Sequence, residues 1–101
     1  MTEINRNEKE TIGTSAVAIS RTQSLNNTFR SSIIIINTST AGQVVSLAIG
    51  AEAINGAGIP LSPGGVWSDS QDGQYKPTQL QITAISSGAD ATISIQERLI
   101  Q

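Results

Sequence analysis

The segment Asp69-Ser70-Gln71-Asp72-Gly73 is where residue types and spacing come nearest to chemistry. Two carboxylates this close could hold a cation or share acid–base work. A calcium loop, however, needs acidic ligands at alternate positions and a closing glutamate, and neither condition is met. No apolar pocket surrounds the pair to raise a carboxyl pKa, so solvated loop charges are expected. Asp72-Gly73 is good turn chemistry. Gly56-Ala57-Gly58 lacks the third glycine and the helix of a dinucleotide fingerprint, so it reads as a turn or bulge. Serine is plentiful, but the chain has no histidine to partner it in a triad. It has no cysteine either, which removes disulfides and thiolate metal sites. No catalytic residue, metal or cofactor is expected, and an enzyme is not the expected reading. Asn26-Asn27-Thr28 and Asn37-Thr38-Ser39 match the glycosylation pattern, which carries little weight without a signal peptide.

Trp67 and Tyr75 are two of the three aromatic residues, and both lie in or beside a polar loop over residues 68–78. Aromatic loop residues stack on sugars or anchor interfaces. Trp67 can equally cap the end of a core. Both readings stand at this point, so Trp67 and Tyr75 form a candidate ligand loop.

The remaining chain must supply the scaffold. Its 101 residues suit one domain with one core. Only 14% are charged, against roughly 25% in an ordinary domain. Ser, Thr, Gln and Asn therefore fill the solvent-facing positions, which suits sheets wetted on one face and not helices. The net charge is −2, and six basic residues scattered from Arg6 to Arg98 make no patch for nucleic acid. The N-terminus lacks the apolar centre of a signal peptide. No apolar run approaches the ~20 residues that span a bilayer. A soluble protein made in the cytoplasm is expected.

Residues 1–10 are polar and charge-dense, and read as a flexible N-terminal arm. Such an arm either frays or orders against a neighbouring subunit. From Thr11 onward short alternating segments take over. Ser15, Val17 and Ile19 share one face of a first strand. Asn26-Asn27 marks a turn. Thr28–Asn37 is a strand, and Gln43–Ile49 reads as its antiparallel hairpin partner. Residues 51–54 suggest a short strand or helical turn. Ile59 and Leu61 flank Pro60 in an edge strand, with a tight turn at Pro63-Gly64. Leu80, Ile82 and Ala84 alternate with polar residues, as do Ala91, Ile93 and Ile95, so the two segments read as a terminal hairpin. The sum is six to eight short strands in residues 11–101: an all-β, antiparallel sandwich, jelly-roll-like or immunoglobulin-like.

One strand stands apart. Ile33-Ile34-Ile35-Ile36 sends two isoleucines to each face. A two-layer sandwich buries only one face of a strand, so the second pair needs cover. The surrounding sequence is poor in the charges that normally guard a sheet against another chain. A subunit interface through Ile33, Ile34, Ile35 and Ile36 is therefore expected, with Ile4 and Arg6 of the arm as further contacts. The competing reading is that residues 1–20 or the Pro-rich loop fold over this face.

Arg30 before the isoleucines, Asn37-Thr38-Ser39 after them, Gly58-Ile59-Pro60-Leu61 before Pro63-Gly64, and the closing Ala91–Glu97 segment give a familiar layout. It resembles the small β-sandwich virion proteins of tailed bacteriophages, of the head-decoration, head-fibre or capsid-accessory type. The resemblance covers most of residues 28–97 and rests on composition and layout. It implies a non-enzymatic homo-oligomer, with a trimer favoured, that decorates or stabilises a capsid by contact with the major capsid protein or another virion protein. The virion is then the implied location, with neither nucleic acid nor membrane as partner. The alternative function is a carbohydrate- or receptor-binding module of a fibre, spike or adhesin, acting through Trp67 and Tyr75.

Overall fold

A computed structural model of the chain describes residues 3–19 and 29–100. The turn and glycosylation pattern expected at residues 26–28 lie outside the described residues. The described residues form eight strands: β1 (Glu3–Ile12), β2 (Val17–Ala18), β3 (Phe29–Asn37), β4 (Val45–Ile49), β5 (Ile59–Leu61), β6 (Val66–Ser70), β7 (Ile82–Ser86) and β8 (Ala91–Ile100). Two four-stranded sheets result, ordered β1-β8-β3-β6 and β2-β7-β4-β5. Every pairing is antiparallel. The first strand pairs with the last, the second with the seventh, the third with the sixth and the fourth with the fifth. That nested order, folded across two sheets, is a jelly roll.

Period-two alternation builds the core. Ile33 and Ile35 of β3, with Ile93 and Ile95 of β8, pack in one cluster with Val45 and Leu47 of β4; all six are fully buried. No aromatic side chain lies in its centre, and Trp67 packs against its margin. Burial of each isoleucine stabilises by about 1.5–3 kcal/mol, and the stiff β-branched χ1 suits an extended backbone.

Both expected hairpins are corrected. β3 and β4 lie in opposite sheets, and so do β7 and β8. Their connections cross between layers instead of turning within one. At the first crossing Asn37 explains why. Its side chain is fully buried. Nδ2 donates to the carbonyls of Gln43 (2.9 Å) and Leu61 (2.8 Å), and Oδ1 accepts the Ser39 amide (3.0 Å). One amide thus ties β3 of the first sheet to β5 of the second. Asn37→Ala leaves acceptors without a donor, and should lower the unfolding free energy by about 2–3 kcal/mol. Urea denaturation should show a lower midpoint with an unchanged slope.

The turns follow residue chemistry. The Gly65 amide donates to the Ser62 carbonyl at 2.7 Å, and Gly64 has φ +83°. Pro63 and Gly64 therefore occupy the central positions of a type II turn, as expected. β5 is the expected edge strand carrying Pro60. Residues 51–54 form neither strand nor helix. They belong to a loop that folds back on the second sheet, where the Gly56 amide donates to Oγ of the buried Ser46 at 3.0 Å.

The expected N-terminal arm is also corrected. Glu3–Ile12 is a strand paired with β8 along all ten residues. The sandwich therefore begins at Glu3, not at residue 11. The segment looked solvated because it is charged, yet Ile4, Arg6, Glu8, Glu10 and Ile12 alternate regularly toward the inner face.

Candidate assembly surface

The isoleucine run divides between two environments. Ile33 and Ile35 are wholly buried in the core and are corrected as interface residues. Ile34 and Ile36 point outward. Across the strands, Ile34 faces Gln96 and Ser68, while Ile36 faces Ser94 and Val66. Ile34 is 39% exposed and Val66 56%. These three aliphatic side chains sit among Ser32, Ser68, Ser70 and Ser94, so the β3–β6 half of the outer face carries no charge. Among the described residues neither segment that was to cover this face does so, because β1 lies within the sheet, β2 belongs to the other sheet, and Gly58–Gly65 leads into the edge strand β6.

Charges on the same face stand over β1 and β8. Glu3 and Arg98 pair at 2.6 Å, and Lys9 completes the set. Hydrogen bonds from Asn5 and Arg98 hold the Glu3 carboxyl below its usual range.

Arg6 and Ile4 do not join this surface. Ile4 is half-buried on the inner side of β1. Arg6 is 8% exposed and enters an ionic cluster between the sheets. The cluster spans three adjacent strands. Arg30 Nε donates to Glu97 Oε2 at 2.6 Å, and Arg6 Nη1 reaches Glu97 Oε1 at 3.3 Å. Arg30 Nη1 also donates to the carbonyls of Thr78 (2.7 Å) and Leu80 (3.2 Å). Arg6 donates to the Ile19 carbonyl at 2.7 Å and pairs with Glu8 and Glu10. Burial opposes the charge on Arg6, but its bonds to Glu8 and Glu97 outweigh that, and its pKa is raised. The pairing register of β3 with β8 shifts between Arg30 and Ser32. A bulge of this kind re-aims a side chain, and here Arg30 and Ser31 are both buried.

Glu97 is the residue the sequence reading missed. Its position follows the inward series Ala91, Ile93, Ile95, so parity alone placed it inside. Only its charge argued otherwise.

Trp67 and Tyr75 do not form an open aromatic pair. Trp67 is half-buried against the core margin. Tyr75 is 55% exposed, and its hydroxyl donates to Asp69 Oδ1 at 2.6 Å. That bond raises the Tyr75 pKa. Asp69 also accepts the Thr78 amide at 2.9 Å, so it organises its loop. Asp72 and Tyr75 close a small backbone bridge around Gly73, whose φ is +60°. A cleft of about 470 Å³ lies beside Phe29, lined by Gln71, Lys76, Pro77 and Gln79. Among the described residues that line it, Lys76 is the charged one. Among the described residues no three acidic side chains converge as a metal site requires.

No protein-family model matches the chain, and no curated protein does. Among solved structures it is similar to a chain of the Bacillus endospore appendages, which are described as a novel family of disulfide-linked pili. The TM-score is 0.65 at 11% identity, over 99% of this chain and 87% of that one. At that identity the likeness concerns the fold.

Proposed function

We propose that this chain is a structural, non-enzymatic subunit that works by assembling with copies of itself on a larger particle or appendage. The observation that carries the reading is the uncharged β3–β6 half of the first sheet's outer face, centred on Ile34, Ile36 and Val66. The described residues extend 41 × 22 × 22 Å. A neutral aliphatic centre in a hydroxyl-rich surround is self-complementary, so it favours a two-fold contact between copies. The trimer implied by the virion resemblance would require this face to meet a different surface on its neighbour.

Capsid decoration, as the sequence resemblance implies, is one setting for such a subunit. A pilus-like appendage is another, supported by likeness of fold. With no cysteine in the sequence, such assembly would not use disulfides between these residues, unlike the disulfide-linked pili of the Bacillus neighbour. Electron microscopy of concentrated protein separates the settings, since filaments indicate an appendage and closed oligomers that bind undecorated shells indicate decoration. Dispersed single chains in both preparations would contradict the proposal.

A further inference from the structure

Among the described residues β1 leaves the longest open strand edge. Among the described residues its backbone bonds only to β8. The other edge strands are short: β2 has two residues, β5 three including Pro60, and β6 five. An open edge of ten residues is a template for one more strand. The charged inner side chains Arg6, Glu8 and Glu10 bar a strand that cannot answer them.

A second copy of β1 can answer Arg6 and Glu8 in one register, the one centred on β1 that opposes unlike charges without opposing like ones. Two such strands related by a two-fold axis through the sheet run antiparallel, and the axis must pass through a residue for the faces to match. An axis at Arg6 opposes two arginines. An axis at Glu8 opposes two glutamates. At Lys9 it opposes two lysines and also sets Glu8 against Glu10. An axis at Asn7 sets Arg6 opposite Glu8, Asn5 opposite Lys9, Ile4 opposite Glu10 and Glu3 opposite Thr11, with no like charges facing; Glu10 keeps Arg6 of its own strand as its partner. Glu8 pairs with Arg6 of its own strand at 2.8 Å and keeps 40% of its side chain exposed. Opposite charges across strands stabilise and like charges destabilise.

We infer that a second copy of this chain adds to the first sheet through β1, with Asn7 on the two-fold axis, so that two four-stranded sheets become one of eight. The inference rests on the self-assembly reading and adds a contact separate from the aliphatic face. Because the sequence lacks cysteine, introduced thiols report cleanly. Asn7 is exposed, and opposed Cα atoms stand about 4.5–5.5 Å apart, within disulfide reach. Under mild oxidation Asn7→Cys should give a disulfide dimer on a non-reducing gel. Asn5→Cys and Lys9→Cys should cross-link when mixed and far less when alone. Ala89→Cys, on an exposed remote turn, should stay monomeric on the gel. Circular dichroism confirms that each variant is folded. If light scattering shows assembly but Asn7→Cys gives no more dimer than Ala89→Cys, the edge contact is wrong while self-assembly stands. If every sample is a single chain, both fall.

Discussion

Glu97→Ala should lower the unfolding free energy by about 3–5 kcal/mol, because it leaves a buried guanidinium without its anion. Glu97 and Arg30 are both fully buried, and Arg30 Nη2 already lacks a partner among the described protein atoms. A domain of this size has about 5–15 kcal/mol in total, so the variant should sit near the edge of folding at 37 °C. Urea denaturation at 10–15 °C measures it. The double change Arg30→Met with Glu97→Leu should be milder than Glu97→Ala alone. Removing both charges lifts their desolvation penalty together, whereas removing one strands the other. A double variant as unstable as the single one would mean that packing, not charge, dominates the cluster.

The second large effect separates two neighbouring residues. Ile33→Asp should abolish folding, because an unpaired carboxylate in the core costs several kcal/mol against that same total. Ile34→Asp, one residue along, should change stability by less than about 1 kcal/mol. Its consequence should instead be loss of the contact through the outer face, read as a lower native mass. Circular dichroism and thermal melting read the first effect and native mass the second. Equal loss of folding in both variants would mean that Ile34 belongs to the chain's own core.

The sequence disclosed the fold class because alternation is hard to disguise. Ile33 and Ile35, Ile93 and Ile95, and Val45 and Leu47 each alternate with the residues between them, as strands with one buried face do. Turn chemistry was equally readable at Pro63-Gly64 and Asp72-Gly73. Sheet membership was not. A short polar connection reads as a hairpin, and nothing local shows that Asn37 will bond Gln43 and Leu61 across the layers. That information is carried by one buried amide whose partners lie 6 and 24 residues away. The N-terminal segment was misread for a related reason. Charge suggested solvent, but Arg6 is neutralised by Glu8 and Glu10 of its own strand and by the buried Glu97, 91 residues distant. The candidate site was half legible. The run Ile33–Ile36 announced two oily faces, while Val66, which extends the outer one, became a neighbour only through the β3–β6 pairing. Trp67 drew attention by rarity alone.

Light scattering on wild type and Ile34→Asp over a concentration series bears most directly on the claim that the outer face of the first sheet is buried against another copy. Wild type should have a mass of at least two 10.5 kDa chains, and Ile34→Asp, still folded, should show no more than half the wild-type mass. A wild-type mass of 10.5 kDa throughout, or an unchanged mass in the folded variant, would contradict it.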